Sequence, residues 1–516
     1  MREHFVFLPV LIPLLTGVVL LPLRRRLVLQ RVVAALSLFS VLYVVAALTV
    51  RLRGEGIIVY ELGGWPAPFG IVMAVDLLSA LLMLMGVVTA AASLFFAFRS
   101  IGPRKERYFF YSLIMFLVAS VNGALMTGDI FNLYVFFELI LISSYLLFTH
   151  GGRAGQLKES FKFLLINSVS SAFLLLAIAG LYALTGTLNM ADLAVKVALL
   201  PDKRIVAAVG MVFVFAFGVK AALVPLFFWL PRTYAEVSTA AAALSAGVGT
   251  KVGVYALYRM FTLIFVHHVD YTHKAVLMVL AVLTMVIGVL GAIAQMDFKR
   301  LLSFHIVSQI GYMIFGLAVM SVAGLAGGLM HIMFNMIIKP ALFLIAGATE
   351  EATGTTDLRK MSGVIHYAPA LAFTFLLGGL GLAGVPPMSG FISKVTLFQA
   401  GFAGGHWWAT GAAVVVSFFT LFSMIKIFRL VYWGPKDGLT EGQRRTLPAW
   451  RRFVAPGAAL VAFGLVMGLG GAYLVDYADA AARWLMNPAL YIEGVLGPGA
   501  ADVLLLTETV SEVMQP

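Results

Sequence analysis

The feature that most constrains this chain is a series of apolar runs, each about as long as a helix that crosses a bilayer. The hydrocarbon core is about 30 Å thick and takes about 20 helical residues to span. Fourteen such runs lie near residues 5–23, 32–50, 73–98, 108–126, 130–149, 161–184, 205–230, 234–263, 275–295, 301–320, 323–347, 368–398, 408–432 and 453–474. Lipid offers no partner to a bare N–H or C=O, so a segment that enters it must close its hydrogen bonds locally. The predicted fold class is therefore all-α, a polytopic membrane protein of about fourteen transmembrane helices. Composition agrees: 61% of the 516 residues are hydrophobic and 12% are charged, against about 45–50% and 25% in soluble proteins.

The formal charge is +12, but the basic residues gather in short stretches between apolar runs, not on one face with interleaved aromatics. That argues against nucleic acid as a partner and for a role in membrane orientation. The odd-numbered loops hold Arg24–Arg26 and Arg31; Arg99, Arg104, Lys105 and Arg107; Arg153, Lys158 and Lys162; Arg232; Lys299 and Arg300; Arg359 and Lys360; and Lys436, Arg444, Arg445, Arg451 and Arg452. That is about 21 basic residues against about 8 in the even loops and termini, which puts the odd loops in the cytoplasm and both termini outside. The run at 5–23 is long and ends at Arg24, so it reads as a retained helix and not a cleaved signal. With no cysteine in the chain, thiolate metal sites and cysteine-held iron–sulfur clusters have no ligands here.

Two runs are interrupted. The seventh carries Lys220-Ala-Ala-Leu-Val-Pro225, and the twelfth carries Gly384-Val-Pro386-Pro387-Met-Ser-Gly390-Phe-Ile-Ser-Lys394. Proline removes a donor and clashes with the preceding turn, so helices 7 and 12 are expected to be discontinuous at Pro225, Pro386 and Pro387. The breaks lie five helices apart. If helices 4–8 and 9–13 are repeats, the odd count inserts them with opposite orientation, the sequence pattern of a transport pathway. The expected segments are 1–107, an N-terminal three-helix part; 108–263 and 275–432, two inverted five-helix repeats, each a half-channel; and 433–516, a cytoplasmic loop, last helix and tail.

Charges stand inside these runs: Glu138 in the fifth, Lys220 before the first break, Lys251 in the eighth, Lys339 in the eleventh and Lys394 beyond the second break, with His305 and His331 nearby. Each central charge costs about 2.5–3.5 kcal/mol on insertion scales. Folding demands none of them, so a file of such groups points to a proton relay. A desolvated lysine sheds its proton more readily and a neighbouring carboxylate restores the charge, so making and breaking such a pair moves a proton. Lys251 and Lys394 have a second reading, as side chains snorkelling to an interface. His331 has one too, as a helix–helix hydrogen bond. Lys339 precedes Pro340, which disfavours helix at the lysine and leaves its depth open.

Other clusters carry less. His267, His268 and His273 beside Asp270 read as a solvated loop and not a metal site, and no metal site is expected. Gly247-Val-Gly-Thr-Lys251 lacks the spacing of a phosphate loop. Trp65, Trp407, Trp408 and Trp433 read as interfacial anchors. Asp76, Asp129 and Glu138 lie on different helices and do not form a sodium site.

Several segments resemble a known family. Thr127-Gly-Asp-Ile-Phe-Asn-Leu-Tyr-Val-Phe-Phe-Glu138, Lys220 to Pro225, Lys299-Arg-Leu-Leu-Ser-Phe-His305-Ile-Val-Ser-Gln-Ile-Gly-Tyr and Pro386-Pro-Met-Ser-Gly-Phe are similar to the antiporter-like subunits of respiratory complex I and of Mrp multisubunit sodium/proton antiporters. Glu61-Leu-Gly-Gly-Trp-Pro-Ala-Pro-Phe-Gly-Ile, Thr185-Gly-Thr-Leu-Asn-Met-Ala-Asp-Leu-Ala, Thr353-Gly-Thr-Thr-Asp-Leu and Asn487-Pro-Ala-Leu-Tyr-Ile-Glu lie outside that shared core and resemble the Mrp branch. The resemblance implies fourteen helices with two inverted five-helix repeats and a hydrophilic axis across the membrane middle. It implies that Glu138 and Lys220 form the key pair, that Lys251 relays laterally, and that Lys339 and Lys394 serve the second half-channel with His305 on the path. Two positions depart from the family pattern: Asn335 stands where a histidine is common, and Pro340 where an alanine is usual.

The resulting expectation is a proton-translocating subunit of a sodium/proton antiporter, working with other membrane subunits in a prokaryotic cell membrane. It is a secondary transporter and not an enzyme, with no cofactor, and sodium crosses elsewhere in the complex. The alternative is a pumping subunit of a redox enzyme, complex I or a membrane-bound hydrogenase.

Overall fold

A computed structural model describes residues 4–436 and 438–502. Residues 503–516 of the expected 433–516 segment, and the side chains of Arg444, Arg445 and Leu447, lie outside the described residues. Among the described residues, ten helices are long and apolar enough to cross a membrane. Three shorter apolar helices, His4–Leu20, Phe110–Met126 and Pro369–Ala383, join them, as does Val454–Leu469. Each of the fourteen apolar runs falls on one of these. Three spans form the interior: Thr239–Leu263 and Phe298–Val319 are almost wholly enclosed, and Val322–Thr353 is buried along its whole apolar window. Lys251, His305, His331 and Lys339 all stand on these three.

The third run begins differently from its expectation. Val72–Val75 is a strand, antiparallel to Ile58–Glu61 with Ile58 opposite Val75, and the helix starts only at Leu77. Asp76 sets that start: its carboxylate accepts the Ser79 N–H, and the Ser79 hydroxyl accepts the Asp76 N–H, a reciprocal cap that satisfies donors a helix end leaves bare. The segment around His267 and His273 also differs. Asp270–Leu277 is a π-helical turn running into Met278–Ala294. His273 is fully buried there, between Thr272 Oγ1 at 2.8 Å and the Phe261 carbonyl at 2.9 Å. A local sequence pattern reads polarity, and it cannot see that a neighbouring helix covers this histidine.

Three consecutive helices recur at one fixed offset. Phe110–Met126, Ile130–Thr149 and Ala154–Thr185 begin 168 residues before Met278–Ala294, Phe298–Val319 and Val322–Thr353 (110 to 278, 130 to 298, 154 to 322). The junctions match in detail. Asp129 caps the first helix by accepting the Asn132 N–H, and Asp297 does the same for Arg300 N–H. The Ile130 N–H reaches Leu188 O and the Met190 N–H reaches Gly128 O. At the same offset, Phe298 N–H reaches Thr356 O and Leu358 N–H reaches Met296 O. The Thr-Gly-Thr segments at 185–187 and 353–355 close both long helices, with Gly186 and Gly354 at φ 68° and 73°, the left-handed region open to glycine.

Pro340 does not break its helix; Val322–Thr353 runs through it with Lys339 fully buried. The proline leaves the Met336 carbonyl without its usual donor. The Thr89 hydroxyl, from the helix Leu77–Ser100, donates to that carbonyl at 2.5 Å. A neighbouring helix thus completes the ladder from outside, as lipid requires.

A second buried contact joins distant segments. The Arg259 guanidinium meets the Asp76 carboxylate at 2.5 Å, with the side chains 3% and 4% exposed. Tyr491, on the helix Pro488–Leu496, stacks against Arg259 at 4.7 Å. One ion pair, with Tyr491 stacked on it, therefore ties together the start of Leu77–Ser100, the end of Thr239–Leu263 and the helix Pro488–Leu496.

Both contacts can be weighed by substitution. Asp76→Asn keeps the helix cap but strands a buried cation, and should cost about 3–5 kcal/mol. The added change Arg259→Met should recover much of it, read as the Tm of the purified protein. Thr89→Val should cost about 1–3 kcal/mol by orphaning the Met336 carbonyl, measured the same way.

Candidate functional site

The first break is built so that few polar groups are wasted. Helix Lys203–Ala221 ends in Ala222 at φ 61°. The Trp229 indole donates to Val219 O at 3.0 Å, and the Val224 N–H finds Thr284 Oγ1 at 3.1 Å. Lys220 sits in the last helical turn, where the helix dipole favours a cation. It is 6% exposed; its ammonium donates to Ser171 Oγ at 3.0 Å and lies 5.0 Å over the Phe137 ring. Glu138, next in sequence to that phenylalanine, is within electrostatic range of Lys220 but makes no direct ion pair with it among the described contacts. Its Oε1 has no hydrogen-bond partner among the described residues.

A cavity of about 30 Å³ borders Lys220, lined among others by Asn167, Ser245, Trp229 and Tyr234, room for about two waters. Tyr234 belongs to the short helix Leu230–Glu236, whose Arg232 and Glu236 line a polar cleft of about 440 Å³ together with Glu159, Asp297, Arg300 and Glu350. A single helical turn therefore separates the buried lysine's cavity from a charged surface cleft.

The second break repeats the arrangement with other groups. Helix Pro369–Ala383 ends at Gly384, φ 90°. Lys394 follows the break but reaches back, donating to Leu382 O at 3.1 Å, Ala383 O at 2.8 Å and Ser417 Oγ at 3.0 Å. The cation thus covers the bare carbonyls of a helix end, the negative pole of its dipole. Pro225, Pro386 and Pro387 all lie exposed on the outside of the chain.

Between the breaks lies a polar file. Lys251 donates to Ala246 O at 2.6 Å. It and Lys394 are 2% exposed, so neither snorkels to an interface. Lys339 lies within electrostatic range of both, and its amine has no hydrogen-bond partner among the described residues. His331 is held between Gln309 Oε1 at 3.1 Å and Ser393 Oγ at 3.0 Å. His305 meets Ser423 Oγ at 2.9 Å through Nε2, while its Nδ1 has no partner among the described residues. Asn335 donates to His331 O at 2.8 Å, and its Oδ1 has no partner among the described residues. Lys339, His331, Asn335, His305 and Lys394 are brought together; Glu138 stands apart at the far edge. Gly253 couples the two ends: a Cβ there would lie 2.7 Å from the Ala221 nitrogen, so the Lys251 helix rests directly on the Lys220 turn.

The fixed offset of 168 gives these positions counterparts. Asn167 corresponds to Asn335, and each donates to the carbonyl four residues before it. Phe137 and Ser171, the two neighbours of Lys220, correspond to His305 and Lys339. The same scaffold thus presents an aromatic ring and a hydroxyl in one half, and two titratable groups in the other. Sequence reading missed Ser171 and Arg259. Arg259 was visible as a charge in an apolar run eight residues after Lys251, whereas nothing marked Ser171 among many serines. Asp76 is taken up by Arg259 and Asp129 by its helix cap. No cluster of three or more His, Cys, Asp or Glu occurs among the described residues.

Residues 127–420 match the family described as NADH:quinone oxidoreductase/Mrp antiporter, transmembrane. The chain is 44% identical over 494 residues to the D subunit of the Na(+)/H(+) antiporter of Alkalihalophilus pseudofirmus, covering 96% of this chain and 99% of that one. It is 39% identical to the protein of the same name from Bacillus subtilis, with the same coverage. Its fold is similar to a chain of the Mrp complex from Dietzia sp., TM-score 0.89 at 33% identity, covering 96% of this chain and all of that one. A chain of respiratory complex I from Thermus thermophilus matches with TM-score 0.78 at 26% identity, covering 93% of this chain and all of that one. With its buried lysines at two helix breaks, this multi-pass membrane protein belongs to the Mrp antiporter and NADH:quinone oxidoreductase family of transmembrane subunits.

Proposed function

We propose that this chain is the proton-translocating subunit of a multisubunit Na+/H+ antiporter, a secondary transporter of a prokaryotic cell membrane that works only with other membrane subunits. The observation that carries the reading is the file of ionisable groups from half-buried Glu138 and buried Lys220 through Lys251 to Lys339, His331, His305 and Lys394. In it, cations approach one another in a medium that cannot screen them. Such groups are costly inside a membrane and persist where ions pass. Residues 108–263 and 275–432 act as inverted half-channels; the matched junctions and the constant offset support that division. The charge count in the loops supports a cytoplasmic face for the odd loops and an outer face for both termini.

In this reading a proton enters from the polar cleft at Arg232 and Glu236 and reaches the cavity beside Lys220. Loss of the Glu138 field favours release from Lys220, and its return favours uptake. Lys251 passes the change in field to Lys339, and His331, His305 and Lys394 complete the second half. Asn335 cannot take up a proton, so its part is to hold His331 O and to offer an acceptor beside Lys339. Sodium crosses elsewhere in the assembly, since Asp76 and Asp129 are engaged and Glu138 acts on Lys220. A pumping subunit of a redox complex is the second reading, favoured by the likeness to a complex I chain; the higher identity to the Na(+)/H(+) antiporter proteins weighs against it.

The test uses everted vesicles from an antiporter-deficient host that expresses the chain with its partner subunits. Sodium added to an imposed pH gradient should collapse it. Lys220→Ala and Glu138→Ala should abolish the collapse with the complex still assembled, and Lys251→Ala should impair it less. No sodium response, with pumping only on addition of an electron donor, would transfer the chain to the redox class. Loss of assembly in the first two variants would make those residues structural. Ser171→Ala removes one hydrogen bond to the Lys220 ammonium and should slow exchange roughly fivefold, the rate equivalent of about 1 kcal/mol.

A further inference from the structure

The outer wall formed by helices Leu27–Glu55, Leu77–Ser100 and Val454–Leu469 holds a crevice of about 640 Å³. Its sides are apolar, with Val88, Phe95, Phe98, Ala459 and Phe463 among them, and two arginines, Arg99 and Arg452, stand at one end. The volume falls within the roughly 300–1,000 Å³ of sites that hold a small ligand. Arg99 lies in the last turn of its helix, and Arg452 stands two residues before the start of Val454–Leu469, next to its N-cap Phe453. One Arg99 nitrogen donates to the Arg452 carbonyl at 2.7 Å, which fixes the two residues side by side. A guanidinium carries five donors, so four remain on Arg99. Both side chains are exposed, and neither has a carboxylate partner among the described residues.

We propose that this crevice is a site for one anionic phospholipid, with its phosphate on Arg99 and Arg452 and one acyl chain lying along Phe95 toward Val88. Length supports the assignment. From Arg99 to Val88 is eleven residues of helix, about 16 Å at 1.5 Å per residue, close to half of a hydrocarbon core about 30 Å thick. The crevice therefore runs from the headgroup level to the bilayer middle, the reach of one leaflet. Charge supports it too. Arg99 and Arg452 belong to the loops richest in basic residues, with Arg104, Lys105, Arg107 and Arg451 close in sequence, and basic pockets between membrane helices at that level recognise anionic headgroups. The N-terminus of Val454–Leu469 adds its positive dipole end beside the phosphate. The site lies on the side of the chain formed by the first three runs and the last, and its occupancy does not depend on which ion the chain carries.

The test is native mass spectrometry of the intact, purified complex, titrated with phosphatidylglycerol or with phosphatidylcholine. Phosphatidylglycerol should remain bound at one more copy per complex than phosphatidylcholine. The double variant Arg99→Gln/Arg452→Gln should weaken that copy roughly 30-fold, at about 1 kcal/mol per arginine near a charged surface. Ala92→Trp, which fills the crevice without touching the charges, should displace the same copy. Equal retention of the two lipids, or unchanged binding in both variants, overturns the proposal. So does a photo-crosslinker at Ala459 that captures a partner subunit and no lipid, because the crevice is then a protein interface.

Discussion

Lipid offers no hydrogen bonds, and that constraint shapes the two helix breaks and the Pro340 site of this molecule. A helix that stays regular satisfies itself; one that breaks must be repaired by its neighbours. At the first break the repair is an indole and a threonine hydroxyl. At the second it is a lysine ammonium that gathers two carbonyls and a serine. At Pro340 no break opens, because Thr89 supplies the donor the proline lacks. Thr284 and Thr89 come from distant helices, while Trp229 and Lys394 reach back from further along the broken run itself. The breaks are thus places where tertiary packing and membrane depth have to agree before the helix can be interrupted.

The two halves show how one scaffold can carry two chemistries. Helix lengths, caps and backbone bridges recur at a constant offset, so the frame is the same on both sides. What changes is the lining: Phe137 and Ser171 face the lysine of one half, while His305 and Lys339 hold the corresponding positions in the other. A ring and a hydroxyl stabilise a cation without competing for its proton. A histidine and a second lysine do compete, because each added positive charge in a poorly screened interior disfavours the next.

The Arg259–Asp76 pair belongs to a different part of the molecule. It joins three segments at one end of the helix that also bears Lys251, and its charges face each other, not a pathway. Burying such a pair contributes little net stability, yet removing one partner is expensive. Its value lies in registry: the helix cannot slide without separating the charges, so Lys251 is held at a defined depth relative to the Lys220 turn against which Gly253 packs.

Some of this was decided by the sequence alone. Apolar run length determines how many segments can enter a bilayer, and the loops' lysines and arginines bias which side each faces; both are local properties. The same is true of the charges placed inside the runs, because no other context makes Lys220, Lys251, Lys339 and Lys394 conspicuous. Only the tertiary structure decided the partners. Ser171 lies 49 residues from Lys220, Thr89 lies 247 from Met336, and Asp76 lies 183 from Arg259; a periodic pattern carries no information at such separations. It also decided burial: His273 reads as a loop residue until helix packing encloses it, and Lys339 reads as a helix boundary until Thr89 makes its proline tolerable. Hydrophobic periodicity specifies which surfaces leave water, and packing specifies what they meet.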